Sequence, residues 1–456
     1  MAYPNLKSTM SSASSELIEQ AIMPVTAEVS AAGHLLIGQV DTVELAKTFG
    51  TPLWLMDEAT IRAAVKDCQM GLAHYANSEI TYAAKAFLCL SMCHLLKDMD
   101  TSLDVVSIGE MYTAQKANFP PEKIILHGNN KSEREIETAL KYGAVRIVID
   151  NLSEMQLVAA LAKKLGVQAK ILLRVIPGIE ADTHHHIQTG HETSKFGIPL
   201  EQLSQAIDYL TEHNNELHFL GLHVHVGSQS HDTEPFLAAV DVLTQCTLQL
   251  KQKYRLRVDQ LDIGGGLGIA YTAADRTLPM QQWSHAISKA VVEKFEANNL
   301  PLPRLILEPG RSIVGRAGVT LYRVGHTKTL PDGTHYIAVD GGMADNPRPI
   351  TYQALYTACL ANKMNAPKQK TPVSIVGKYC EQGDIIIQES YITPESGDII
   401  AVLATGAYNF SMSSNYNRTA RPACLLLNNG SAEVIIKGET NEDLLRNDCV
   451  PDRLLR

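Results

Sequence analysis

Cysteine pairs at metal or redox spacing are missing from this chain. Its eight cysteines, Cys68, Cys89, Cys93, Cys246, Cys359, Cys380, Cys424 and Cys449, lie scattered, with no CxxC among them. That excludes a zinc knuckle, gives no disulfide framework, and points to a reducing, cytoplasmic setting in which most thiols act as small buried apolar groups. No apolar run approaches the length needed to span a bilayer. Positive charge is not in excess either: 40 Lys and Arg against 49 Asp and Glu give a net charge of −9, so no basic face is expected for nucleic acid or an anionic membrane. Residues 1–20 are Ser-rich and polar and lack the basic-then-apolar order of a secretory signal, and 1–30 is expected to be a disordered tail. What remains is 456 residues of ordinary globular composition, enough for two domains acting on a small molecule.

From 52 to 309 the chain alternates apolar, β-branched runs with amphipathic helices. Strand candidates are 53–57, 79–84, 103–107, 124–127, 145–150, 171–176, 220–226, 260–263 and 304–308. Helix signals punctuate them: Ser132 with Glu135 and Ser153 with Gln156 as capping boxes, and Gly143 and Gly166 as C-caps. So many β/α units in series predict a closed (β/α)8, TIM-like barrel over 51–316. Nine candidates is one too many for eight strands, and 53–57 is assigned to the domain junction. After Gly318 the texture becomes short strands joined by Gly, Pro and Asn turns, with a hairpin at Asn429-Gly430, which predicts an all-β domain over 317–456. A strand at 33–40 and a short helix capped by Asp41, within 31–50, are expected to join that β-domain. The fold class is therefore α/β plus all-β.

Strand ends carry the chemistry in such a barrel. Lys85 closes the 79–84 strand, where an ammonium is poorly placed for solvent; it either snorkels to water or needs a partner or a reaction. Gly264-Gly265-Gly266 after the 260–263 strand reads as a nest of backbone N–H groups for a phosphate, or as a tight turn. His223 and His225 share one face by alternation and read as metal ligands or as satisfied core groups, with Gly227-Ser228 following as a further phosphate donor. Glu308-Pro309-Gly310-Arg311 offers either a carboxylate for a protonated pyridine nitrogen or a local Glu308–Arg311 salt bridge. Arg348, Tyr352, Cys380-Glu381 and Tyr408 cluster in turns of the later region. The run His184-His185-His186 reads as part of a polar active-site loop rather than a metal centre, because consecutive residues rarely face one ion.

Taken together, Lys85, the Gly264–Gly266 turn, Glu308 to Arg311 and Cys380-Glu381 resemble the fold-type III pyridoxal phosphate-dependent decarboxylases, nearest the branch acting on diaminopimelate. Asp104-Val105-Val106-Ser107 with Gly109-Glu110, His127 to Ser132, Ser194 to Gly197, and Ser413 to Asn417 extend the likeness, which runs from about Gly33 to Asp448. The resemblance implies that Lys85 holds pyridoxal 5'-phosphate (PLP), with Asp104 also at the cofactor. His225 stacks on the ring and Glu308 pairs with its nitrogen. Ser228, Gly264, Gly265, Gly266, Glu308, Pro309, Gly310, Arg311 and Tyr408 bind the phosphate end. It further implies that Arg311, Arg348, Tyr352, Glu381 and Tyr408 bind substrate, that Cys380 or Lys85 returns the proton, and that a homodimer shares its sites through Cys380 and Glu381. Two arginines with Glu381 suit meso-2,6-diaminopimelate, giving L-lysine and CO2, better than ornithine, whose far end is only an ammonium. Alternatives are decarboxylation of ornithine, arginine or carboxynorspermidine, a racemase, or a non-catalytic regulator. The chain departs from the family at Ala86-Phe87 and at Lys378-Tyr379 before Cys380.

Overall fold

Eight parallel strands close on themselves in the computed structural model, which describes residues 21–143, 145–178 and 194–455. They are β1 (Ser78–Ala83), β2 (Ser102–Val105), β3 (Ile124–Leu126), β4 (Arg146–Ile149), β5 (Ala169–Ile176), β6 (Leu217–His223), β7 (Gln260–Asp262) and β8 (Arg304–Leu307). β8 returns to β1 through Leu305↔Ser78, Ile306↔Glu79 and Leu307↔Ile80. Closure removes the free edges and leaves alternate residues pointing inward.

Those inward residues form tiers. Ile125, Val148, Leu172, Leu220 and Ile306 make a buried apolar cluster. A register shift between Phe219 and Gly221 brings Leu220 into it, and a Cβ on Gly221 would lie 1.8 Å from the Gln260 carbonyl oxygen. At the N-terminal ends of the strands Glu79 accepts from both terminal nitrogens of Arg146 and pairs with Arg304 Nε at 3.0 Å. Two residues beyond the apolar tier, alternation returns inward at His127, Asp150, Arg174 and Glu308, all buried. The strand-end tier is thus set by period two.

Helix ends follow local chemistry. Ser132 and Glu135 form the capping box, and Gly143 and Gly166 take positive φ at C-caps. Asp41 caps the helix Thr42–Phe49 by accepting from the Val43 and Glu44 amides. Ser153 is not a cap: Asn151 accepts from the Glu154 amide and the helix begins at Leu152. Asn is as good an N-cap as Ser and sits one residue past the strand-end Asp150.

The barrel unit comprises Ile61–Ile269 and Thr277–Gly315, and the second unit the chain through Thr60, Ala270–Arg276 and everything from Arg316. In the second unit a sheet runs in the order Ile385–Ser390, Val373–Val376, His335–Val339, Gly318–Thr329, Leu53–Asp57, Cys424–Asn428, Ser431–Ile436. Leu53–Asp57 is therefore a central strand of this sheet, antiparallel to Gly318–Thr329 and parallel to Cys424–Asn428, and not part of the barrel. Residues 33–40 do not enter the sheet as one strand. Positive φ at Gly38 and Gln39 folds them back into a separate three-stranded sheet of Glu28–Val29, Leu35–Ile37 and Val40–Asp41. Backbone bonds from Leu35 to Ala361 (2.7 Å) and from Met364 to Gly33 (2.8 Å) tie it down. Residues 21–30 are not tail-like: Ile22 is fully buried and Glu28–Val29 is paired. Residues 1–20 and His184 to His186 lie outside the described residues. Among the described residues no helix is long and apolar enough to cross a membrane.

Two stability predictions follow from these buried charges. Arg146→Met leaves Glu79 facing Arg304 alone and should cost on the order of 3–5 kcal/mol, whereas Glu79→Leu with Arg146→Met should recover most of it. A denaturant-melt loss under about 1 kcal/mol for the single variant would refute the charge-pair account. Asp345, buried in the second unit, accepts from the Tyr322 hydroxyl and from the Gly342 amide at 3.0 Å. Burial pushes its carboxyl up to about 7 despite those bonds. The folded state then holds a proton that the unfolded chain releases near pH 4, so this group's stabilisation falls as pH rises through about 4 to 7. Asp345→Asn should flatten that part of the Tm–pH curve; an unchanged slope would count against it.

Candidate active site

Beyond Ala83 the chain makes one tight turn, Ala84–Ala86, before the helix Leu90–Asp98. Lys85 stands on that turn between two buried alanines and is itself exposed. The expectation of a poorly solvated residue is thus corrected: on this turn Lys85 is exposed. Asp104, Glu110 and His225 lie within electrostatic reach of its charge.

Beneath the strand ends, Glu308 follows β8 and is buried. His127 Nε2 lies 2.8 Å from its Oε1 and His223 Nε2 lies 3.3 Å from its Oε2, with the imidazoles edge-to-face at 4.9 Å. Burial alone would raise the Glu308 pKa; His127 first, then His223, through electrostatic attraction and hydrogen bonds, carry it well below the ordinary carboxylate value. Asp262 goes the other way. Burial, then the Glu308 charge, pushes it well up, so of these two acids Asp262 keeps the proton. The ligand atoms of His127, His223, Asp262 and Glu308 all lie within 4.8 Å of one another. His127 and His223 bond Glu308, while Asp262 accepts from the Gly264 amide.

The glycine turn is built by close approach. A Cβ on Gly264 would meet the Val224 carbonyl oxygen at 2.6 Å, on Gly265 the Glu308 carbonyl oxygen at 2.0 Å, and on Gly266 the Gly227 carbonyl oxygen at 2.3 Å. Three neighbouring loops are therefore locked together at one end of the barrel. Gly264 N–H is taken by Asp262 (2.8 Å), and Gly265 N–H by His225 Nδ1 (3.3 Å). Arg311 Nη2 donates to Ser228 Oγ at 3.1 Å. Two of the triplet's amides brace the turn, as a tight turn requires, and Arg311 bonds Ser228 in the neighbouring loop. Pro309 accepts from the Ala83 amide at 3.3 Å, and Gly310 packs on Ala83. This set fits PLP. It offers an exposed strand-end amine, an ionised carboxylate for a ring nitrogen, a neutral imidazole, and small or cationic groups for a phosphate. Burial, then Lys85, holds the His225 pKa well below its ordinary value, so the ring is uncharged.

The barrel thus gathers Lys85, Asp104, His225, Ser228, Gly264, Gly265, Gly266, Glu308, Pro309, Gly310 and Arg311. The other candidates belong to the second unit. There Arg348 is buried; it donates to the Tyr356 hydroxyl at 2.7 Å and lies 4.9 Å from the Tyr271 ring centroid. Among the described residues no carboxylate pairs with it. Tyr352 is half-buried, and Tyr408 adopts φ 70°. Cys380 and Glu381 are exposed, in a loop fixed by Asp384, which accepts from the Met343 (2.6 Å) and Tyr379 (2.9 Å) amides. The Cys380 amide donates to Asn417 at 3.1 Å.

His127, His223, Asp262 and Glu110 were not singled out as site residues. His127 entered with the family likeness and His223 by alternation, and their shared partner, Glu308, is distant in sequence. Glu110 accepts from the Val106 amide at 2.6 Å, and burial pushes it up to about 7.

Known proteins agree with this geometry. Residues 58–315 match the pyridoxal binding domain of the pyridoxal-dependent decarboxylases. A diaminopimelate decarboxylase of Synechocystis sp. is 43% identical over 447 residues, covering 96% of this chain and 94% of its own. One from Bacillus subtilis is 43% identical over 421 residues, covering 91% of this chain and 95% of its own. The crystal structure of diaminopimelate decarboxylase from M. jannaschii in complex with L-lysine superposes with a TM-score of 0.87 at 32% identity, covering 94% of this chain and 99% of its own. A PLP-ready rim on a closed barrel, followed by a β unit, and this likeness along nearly the whole length together place the chain in the pyridoxal-dependent decarboxylase family, with the diaminopimelate decarboxylases.

Proposed function

We propose that the protein decarboxylates meso-2,6-diaminopimelate, releasing CO2 and L-lysine. The observation that carries this reading is the pairing, on one barrel rim, of an exposed strand-end amine, Lys85, with a buried ionised carboxylate, Glu308. When bound, PLP supplies an electron sink for the pair left at Cα as CO2 departs. The protein's own groups do the rest. Lys85 would hold the cofactor through its amine, and Glu308 would pair with the ring nitrogen. Asp104, in electrostatic reach of Lys85, and His225, kept uncharged, would line the cofactor's ring. Ser228, Gly264, Gly265, Gly266 and the backbone of Glu308 to Arg311 would bind the phosphate.

Arg348 supports a substrate with a distal carboxylate: a buried guanidinium among tyrosine rings is completed by an anion, and ornithine brings none. Tyr352, Glu381 and Tyr408 share that recognition. Cys380, exposed on a backbone held by Asp384 and Asn417, returns the proton to Cα of a site in a second copy of the chain. The enzyme is then a homodimer with shared sites. Cys68, Cys93 and Cys246 are buried free thiols, which suits a reducing cytoplasm.

CO2 and lysine release from meso-diaminopimelate by PLP-loaded protein, beside ornithine and arginine and with Lys85→Ala as control, tests the reaction. Release from diaminopimelate alone, lost in the variant, is expected; turnover of ornithine instead would move the substrate. Arg348→Met should raise KM for diaminopimelate on the order of ten- to a hundredfold with PLP content unchanged, and an unchanged KM would remove it from recognition. Co-expressed Lys85→Ala and Cys380→Ala chains should regain about a quarter of wild-type activity, because half the dimers then carry one intact site. No recovery would exclude shared sites.

A further inference from the structure

We propose that His127 and His223 are positioning residues that decide where the proton between Glu308 and the cofactor's ring nitrogen rests, by holding both Glu308 oxygens with imidazole N–H donors. This rests on the pairing of Glu308 with that nitrogen made above.

The tautomer of His223 is fixed by its surroundings. Among the described residues its Nδ1 is buried without a hydrogen-bond partner, while Nε2 faces Glu308 Oε2 at 3.3 Å. A proton on Nδ1 would orphan an N–H and turn a lone pair on Nε2 toward a carboxylate lone pair. The proton therefore sits on Nε2. Burial keeps the ring neutral, with its pKa down to about 3. His127 Nε2 is 2.8 Å from Oε1 and also faces Asp104 at 3.8 Å. Arg174 and Lys85 are the cations near this cluster, and Arg174 stacks on Phe196 at 4.5 Å. Asp262 is buried, uses Oδ1 to accept from the Gly264 amide, and retains its own proton.

Such donors have a particular effect. A carboxylate and a pyridine nitrogen compete for one proton, and its position follows their relative proton affinities. Each N–H donated to the carboxylate lowers its affinity and leaves the proton on nitrogen, where the positive charge strengthens the electron sink. A neutral donor does this without cancelling the carboxylate's charge, as an arginine in the same place would. Loss of one charge-assisted bond shifts such an equilibrium by roughly ten- to a hundredfold.

The test reads the proton directly, as the 15N shift of PLP labelled at the ring nitrogen, in holoenzyme carrying His223→Leu, His223→Gln, His127→Leu or Glu308→Gln. The leucine variants should move the resonance toward unprotonated pyridine and lower kcat about tenfold or more with KM held, and His223→Gln, which keeps a donor at similar reach, should restore both. Glu308→Gln should move the resonance furthest. If Glu308→Gln moves it and neither leucine variant does, the inference falls while the Glu308 assignment stands. If Glu308→Gln leaves it in place, that assignment fails and takes the inference with it. Where a leucine variant does not fold, 15N-histidine spectra of the wild-type holoenzyme decide: His223 protonated on Nε2 upholds the proposal, and on Nδ1 it overturns it.

Discussion

One buried negative charge, on Glu308, constrains the whole strand-end tier of the barrel. Beneath solvent a carboxylate needs donors, and a second ionised acid beside it would cost several kcal/mol. Hence two imidazoles turn their Nε2 edges inward, and Asp262, one strand away, stays protonated. The opposite tier has a separate solution. Glu79 is closed off by Arg146 and Arg304 in an ion-pair network that leaves its carboxylate no further role. Between them lies the apolar cluster of Ile125, Val148, Leu172, Leu220 and Ile306. The same barrel therefore holds one acid closed off by guanidinium groups and another kept ionised by imidazole donors.

Much of this was legible in the sequence because alternation is strict in a closed parallel barrel. Once 304–308 reads as a strand, Ile306 and Glu308 must share a face, and Ile125 and His127 likewise. What periodicity cannot supply is the partner. His127 and His223 stand 181 and 85 residues from Glu308, and nothing local marks them as its donors. The strand Leu53–Asp57 was ambiguous for another reason: every residue in it is buried, and a fully buried strand reads the same in a barrel wall and in mid-sheet. At 33–40 the hydrophobic pattern was read through Gly38-Gln39, where the backbone turns. The exposure of Lys85 depends on a single tight turn that composition does not announce.

The second unit shows the same economy with polar groups. Asp384 alone accepts from two amides, and glycines at 342 and 377 let the chain pass against its carboxylate, where a Cβ would approach to 2.4 and 2.0 Å. That fixes the loop whose tip exposes Cys380. Nearby, Tyr271, Tyr356 and Asn409 order the Arg348 guanidinium through ring faces and a hydroxyl.

The position of Leu53–Asp57 also sets an order of events during synthesis. This apolar segment leaves the ribosome early, yet both strands that flank it, Gly318–Thr329 and Cys424–Asn428, are made only after the entire barrel. The barrel can close on its own sequence, whereas the sheet must wait for the end of the chain. Meanwhile Leu53, Trp54, Leu55 and Met56, all buried in the finished fold, stand as an unpaired edge. A nascent chain of this protein thus carries a sticky strand through most of its translation, and that interval is its natural point of entry for a chaperone and its main exposure to aggregation.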